Sequence, residues 1–329
     1  MVFPFQIEEI FPDMAARSVS LPRRQGGSSP QSLAVTLMAD YTLRNDVWLP
    51  AGALLTLLAE FGVTNAAARV TISRLVRRGV LDSARHGRFS SYRLTEQAAA
   101  ELSGGGVWVA DFVAEPEAWD GFWTFVTFSM PKEETTRRNA LRVHLRWRGF
   151  APLYDGVWVS PQPLSRQELA DLVPVASGAI TVIRAQHIPL ETDVDRCPVT
   201  AWDLEVIAET YQSFVRQWGA LLPGIEDGSV VGAAAVRART EVMDIYRRFP
   251  MIDPELPTKL MPPGWARERA REVFVAVYDG LARPAEEYVW AVAADVAGGP
   301  GPGIQAHTVA EMRLGIRPAR FRAGPSASR

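Results

Sequence analysis

The sequence predicts a multidomain α+β protein: an N-terminal winged helix-turn-helix, a central ferredoxin-like α+β domain and a C-terminal helical domain. Three observations carry that reading. Val63–Leu94 has the pattern of a helix with spaced arginines, a sharp stop, and two short strands around a basic turn. Between about residues 117 and 200 the apolar period switches repeatedly between helix and strand. Beyond residue 200, aromatic and aliphatic residues recur at helical spacing.

Residues 1–30 are rich in Pro, Gly, Ser and Arg without a period and read as a flexible N-terminal arm. The winged-helix domain is placed at 31–102. Leu33, Leu37 and Tyr41 recur at steps of four, the apolar face of a first helix. In "WLPAGALLTLLAEFG", Pro50 suits the first turn of a second helix and Gly62 its end. Thr64 or Asn65 caps the third, where Ala68, Ile72, Leu75 and Val76 form one apolar stripe. At about 100° per residue, Asn65, Arg69, Ser73 and Arg77 lie on another side, flanked by Arg74 and Arg78. Gly79 stops the helix, and "VLDSARHGRFSSYRL" alternates as a hairpin turning at Gly87, with His86, Arg88 and Arg85 at the tip. Tyr92 and Leu94 point inward.

Charge assigns a partner to this segment. Residues 64–95 hold seven arginines (69, 74, 77, 78, 85, 88, 93) against one acid, Asp82, so the stretch is formally +6 in a chain of net charge −2. Lys132 and Lys259 are the only lysines, so arginine is simply the chain's usual cation, and spacing rather than Arg content carries the argument. Arginine forks onto guanine edges or phosphate, whereas Asn and Ser reach bases or backbone. The candidate DNA contacts are Asn65, Arg69, Ser73, Arg74, Arg77, Arg78, His86 and Arg88. Asn65 and Arg69 suit base reading; Arg74, Arg77 and Arg78 suit phosphate.

Length, 329 residues, suggests two or three domains, and 47% hydrophobic content supplies packed cores. No apolar run approaches the roughly 20 residues of a membrane helix, and the N-terminus lacks a secretory apolar stretch, so a cytoplasmic location is expected. Cys197 is the sole thiol, excluding an internal disulfide and any multi-cysteine zinc site. His86, His144, His187 and His307 have no ligand spacing, and no motif places a base beside Cys197. No catalytic residue, metal or cofactor is therefore expected.

Residues 103–116, opening with "SGGGV", read as a flexible linker; no Lys-Ser/Thr follows to make a phosphate loop. From 117 to 200, "FWTFVTFSM", "GVWVSP" and "GAITVIRA" read as strands, with helices in "KEETTRRNALRVHLRWRGF" and "SRQELADLV". The β-α-β-β-α-β tendency indicates a ferredoxin-like sandwich. Leu141, Val143 and Leu145 are assigned to its core. Arg137, Arg138, Arg142, Arg146 and Arg148 form a basic surface for an acidic ligand, nucleic acid or water alone. The helical domain spans 201–297, with apolar stripes Ile207–Tyr211–Phe214–Trp218, Val242–Met243–Tyr246–Phe249 and Val273–Phe274–Val277–Leu281. A basic flexible tail is placed at 298–329.

Three blocks together resemble one family, the phenylacetate-degradation repressors or PaaX-like transcriptional regulators. They are the winged-helix block from Leu37 to Thr95, "WDGFWTFVTFSMPKEETTRRNALRVHLRWRGFAPLYDGVWVSP", and "YRRFPMIDPELPTKLMPPGW" (Tyr246–Trp265). The resemblance implies a homodimeric repressor of an aromatic catabolic operon that releases operator DNA when an aryl-coenzyme A thioester, such as phenylacetyl-coenzyme A, binds. It implies no enzymatic activity. The family's DNA-reading pattern is matched at Arg69, Ser73, Arg74, Arg88 and Tyr92. In the third block, Pro250, Pro254, Pro257 and Asp253 suit a rigid connection. Tyr246, Arg247 and Arg248, with Arg146, are candidate effector contacts.

Competing readings are a coenzyme A thioester enzyme carrying a winged-helix control domain, and a winged helix used for protein contacts alone. A third is a nuclease using Asp111, Asp120 and Asp155 as metal carboxylates.

Overall fold

The computed structural model describes residues 29–86, 89–113, 119–131, 133–174, 179–192, 194–299 and 303–316. In chain order it begins with α1 (Pro30–Thr42), β1 (Leu49–Pro50), α2 (Ala51–Ala59) and α3 (Asn65–Arg77). These are followed by β2 (Leu81–His86), β3 (Phe89–Leu94) and α4 (Glu96–Asp111). The middle holds β4 (Trp123–Ser129), α5 (Thr135–Trp147), β5 (Ala151–Tyr154), β6 (Val157–Ser160), α6 (Arg166–Leu172) and β7 (Ala179–Ala185). The rest is helical: α7 (Leu204–Gly219), α8 (Leu222–Glu226), α9 (Gly232–Tyr246) and α10 (Phe249–Ile252). Last come α11 (Arg267–Gly280), α12 (Ala282–Ala297) and α13 (Val309–Arg313).

The chain divides into two compact units. The first comprises the described residues within Met1–Ala114, Phe214–Arg248 and Glu268–Arg329; the second lies within Glu115–Ser213 and Phe249–Arg267. Residues more than 200 positions apart thus build the first unit. Ser29 caps α1, accepting from the Ser32 amide, with Pro30 in the first turn. Leu33, Leu37 and Tyr41 are buried on its inner face. The strands form a three-stranded antiparallel sheet in the order β1-β3-β2, with Leu49 opposite Tyr92 and Leu81 opposite Leu94. Behind them, Tyr246 and Phe274 stack at 3.9 Å between ring centroids, and Val273, Val277 and Leu281 are fully buried.

Two expectations are corrected in this unit. The stretch Ser103–Gly106, read as part of a linker, lies inside α4. Glycine costs roughly 0.5–1 kcal/mol in a helix interior, and tertiary contacts override that preference. Arg271 Nη1 donates to the carbonyls of Ala110 (2.9 Å) and Phe112 (2.8 Å), and Arg313 pairs with Asp111 at 2.8 Å. The segment 303–316, read as loose tail, is built into the unit. A Thr308–Glu311 capping box starts α13, and Ala306, His307, Val309 and Met312 are buried.

The second unit has a four-stranded sheet in the order β5-β6-β4-β7, every neighbour pair antiparallel. With α5 and α6 as crossovers this is the ferredoxin-like β-α-β-β-α-β arrangement. One face packs Leu141, Leu145, Leu172 and Trp158, and the other packs Trp123, Leu153, Val159 and Leu256. Val143, assigned to the core, is 49% exposed. It stands about 200° from Leu141 on the helix, so it cannot share that face. Tyr211 stacks on Phe249 at 4.3 Å, completing the stripes as core rather than ligand surface.

Candidate nucleic-acid interface

α3 separates its faces cleanly. Thr64 caps it, its hydroxyl accepting from the Ala67 amide at 3.3 Å. Ala68, Thr71, Ile72 and Leu75 are buried, whereas Asn65, Ala66, Arg69, Val70, Ser73, Arg74 and Arg77 are exposed. Val76, assigned to the apolar stripe, is half-buried. Gly79, at φ 71°, ends the helix: its amide bonds to the Val76 carbonyl, and Val80's bonds to Leu75's, both at 3.0 Å. That Schellman closure turns the chain at once into β2. Thr95 ties the far end of the hairpin back, donating to the Gly79 carbonyl at 2.7 Å.

The arginines of this segment divide into free and engaged. Arg69, Arg74 and Arg77 have no acidic partner among the described residues. Arg78 instead donates to Gln31 Oε1 at 3.4 Å. Arg93 faces Asp82 (3.2 Å) and Asp46 (3.3 Å), and lies 4.5 Å from the centre of the Trp48 ring. It braces the base of the hairpin. Three guanidinium groups therefore remain on one helix face beside polar Asn65 and Ser73, a pattern suited to a phosphate backbone and base edges. Arg88 and Gly87 lie outside the described residues; His86 closes β2 opposite Phe89.

The candidate effector residues fall in different units. Tyr246 is fully buried, and Arg247 and Arg248 both face Asp244, Arg248 Nη2 at 2.9 Å. Arg247 also donates to Ser32 Oγ at 2.5 Å. Arg146 belongs to the second unit, its guanidinium 5.4 Å from the centre of the Trp158 ring. There it lines a cleft of about 340 Å³ with Arg142, Tyr154, Asp155 and Arg196. Asp155 pairs with Arg142 at 2.5 Å and Asp120 with Arg184 at 2.6 Å, while Asp111 sits in the first unit. Of the three carboxylates of the nuclease reading, Asp120 and Asp155 are thus each held by an arginine. Among the described residues no group of three His, Cys, Asp or Glu side chains is arranged to hold a metal, and no helix is long and apolar enough to cross a membrane.

Two buried arginines, Arg267 and Arg239, carry no signal in the sequence. Asp253 takes Arg267 in a two-pronged pair, both bonds 2.6 Å, plus the Tyr211 hydroxyl at 2.6 Å and the Glu255 amide at 2.7 Å. Arg239, fully buried, donates to the Tyr278 and His307 carbonyls. Proline spacing and turn chemistry announced only the amide bond to Asp253.

The fold defines a multidomain α+β protein in which a basic helix-and-hairpin module shares one unit with helices from the C-terminal part, and a ferredoxin-like sheet forms the core of the other. Three family models match in that order: PaaX-like protein over residues 29–98, the PaaX protein central Cas2-like domain over 116–196, and the PaaX-like protein C-terminal domain over 202–291. The chain belongs to the PaaX-like family. It is 29% identical over 264 residues to the transcriptional repressor PaaX of Escherichia coli, covering 74% of this chain and 77% of that one. The fold is similar to that of the uncharacterized protein Rv0674 from Mycobacterium tuberculosis, with TM-score 0.51 at 23% identity, covering 78% of this chain and 96% of that chain.

Proposed function

We propose that this protein is a transcriptional repressor that binds operator DNA through a winged helix-turn-helix built from α1–α3 and the β2–β3 hairpin. The observation that carries this reading is the exposed face of α3, where Arg69, Arg74 and Arg77 stand free of acidic partners beside Asn65 and Ser73. Likeness to the Escherichia coli repressor supports it. Asn65, Arg69 and Ser73 read base edges, and Arg74, Arg77 and the hairpin residues His86 and Arg88 grip phosphate. Arg78 serves mainly to join α3 to the start of α1.

The working form is a homodimer presenting two α3 helices to half-sites about 34–36 Å apart. The edge strand β7 supports dimerisation, since Val182 and Ile183 are 37% and 46% exposed on it. An aryl-coenzyme A thioester, from phenylacetate-type catabolism, is the releasing effector and prefers the form that does not fit DNA. Arg146 is the better-placed of the effector candidates, because Arg142 and Arg196 converge with it on one cleft. The protein acts as a regulator without catalytic turnover.

A gel shift at fixed salt against the protein's own promoter tests the reading. A triple variant with Ala at 69, 74 and 88 loses operator binding; unchanged binding overturns the assignment.

A further inference from the structure

The outward side of α3 is not uniformly polar. Val70 is 50% exposed, and Ala66 and Ala67, one turn earlier, are exposed with it. At about 100° per residue Val70 stands roughly 200° from both Ala68 and Ile72, the buried residues two places to either side, so it cannot turn inward with them. Ala66, Val70 and Arg77 fall within about 40° of one another and form the ridge opposite the core. Arg69 and Arg74 stand on the two flanks of that ridge. Its first two turns are therefore apolar, bordered by cations on both sides and at the far end.

Neither packing nor helix formation calls for an apolar side chain at position 70. Ala68, Thr71, Ile72 and Leu75 supply the buried face. A β-branched residue loses rotamer freedom in a helix and favours it less than Ala, Arg, Lys or Glu. A single exposed valine is ordinary on a protein surface. Here three apolar side chains are contiguous, among arginines that have no acidic partner among the described residues. Whatever covers the patch also meets Arg69, Arg74 and Arg77, so it must present an apolar spot between anionic groups. The major groove of DNA has that character: phosphates line both edges, and the 5-methyl group of thymine is the apolar feature on its floor.

We propose that Val70, with Ala66 one turn before it, reads thymine by covering its 5-methyl group, so that the apolar start of α3 selects A·T pairs. The inference rests on the operator-binding reading and adds to it a base and a contact.

The test uses one fragment of the protein's own promoter, amplified with either thymidine or deoxyuridine triphosphate, so that the two products differ only in their 5-methyl groups. The full chain and Val70→Ala are titrated against both by fluorescence anisotropy at fixed salt, with an unrelated fragment of equal length as the reference for selectivity. The unaltered protein binds the thymine fragment more tightly than the uracil one, by roughly fourfold for each methyl covered. Val70→Ala binds the thymine fragment more weakly and holds the two fragments nearly alike. Its salt dependence does not change, because no phosphate contact is lost, and its Tm does not fall, because alanine favours the helix. Equal binding of the two fragments by the unaltered protein overturns the proposal while operator binding stands. Full discrimination by Val70→Ala overturns it as well, because the methyl is then read elsewhere. Failure to prefer the promoter over the unrelated fragment overturns the operator reading itself, and this proposal with it.

Discussion

The Tyr278 hydroxyl donates to Asp40 Oδ1 at 2.7 Å across 238 positions of sequence, joining α11 to the first helix of the DNA-facing module. Both residues are fully or nearly fully buried, and Arg239 packs 3.5 Å from the centre of the Tyr278 ring. Removing the hydroxyl strands two polar groups at once. Tyr278→Phe is expected to cost about 1–3 kcal/mol in urea unfolding, and a cost near zero would show that the bond contributes nothing.

His307 makes the same cluster sensitive to acid. Burial, followed by the charges of Arg239 and Arg44, pushes its pKa well below the ordinary 6.5. The folded protein therefore holds neutral His307, and protonation favours the unfolded chain. That stabilisation is complete above about pH 6.5 and is lost as pH falls below it, by at most about 1.4 kcal/mol per pH unit. Asp40, raised mainly by burial, acts in the opposite sense, losing stability as pH rises above its ordinary range. The check compares the pH dependence of Tm between the protein and His307→Gln. The variant should lose the decline between pH 6.5 and 5; identical profiles would count against His307.

Within the second unit, Asp253 and Arg267 are each other's main partners, 0% and 7% exposed at the side chain. Breaking one half leaves a buried charge, so Arg267→Leu or Asp253→Ala alone should destabilise by about 3–5 kcal/mol. The double variant should cost less than the sum of the two, because neither charge is then stranded. Additive losses in a denaturation cycle would contradict the pairing.

The division of the arginines makes a prediction about DNA. Arg74→Ala and Arg77→Ala should each reduce the slope of log affinity against log salt by about 1. Arg69→Ala should cost roughly 1–3 kcal/mol and relax base preference. Arg93→Ala should leave the slope unchanged while lowering Tm, because its charge faces Asp46 and Asp82. Equal slope changes from Arg93 and Arg77 would refute this sorting.

The two faces of α3 are legible in the sequence. The spacing of Ala68, Ile72 and Leu75 against Arg69, Ser73 and Arg77 put the two sets on opposite faces, and Gly79 marked the end of the helix. Val143 is apolar but stands on the outer side of its helix, whereas Val76 borders the buried stripe of α3 at about 80° from Ala68 and is half-buried. The glycines of α4 resemble a joint in sequence, because intrinsic preference there disagrees with packing.

Alone, the sequence determined most element types, the order of the three family-matching segments and which residues share the polar face of α3, because capping, periodicity and local charge act over a few residues. Tertiary structure decided that residues 214–248 and 268–316 complete one unit with 29–113, that Arg93 is engaged while Arg77 is free, and that Ser103–Gly106 is helical. Those outcomes depend on contacts such as Asp40–Tyr278 and Ser32–Asp244. Partners more than 200 residues apart leave no periodic trace in either segment, so only packing brings them together.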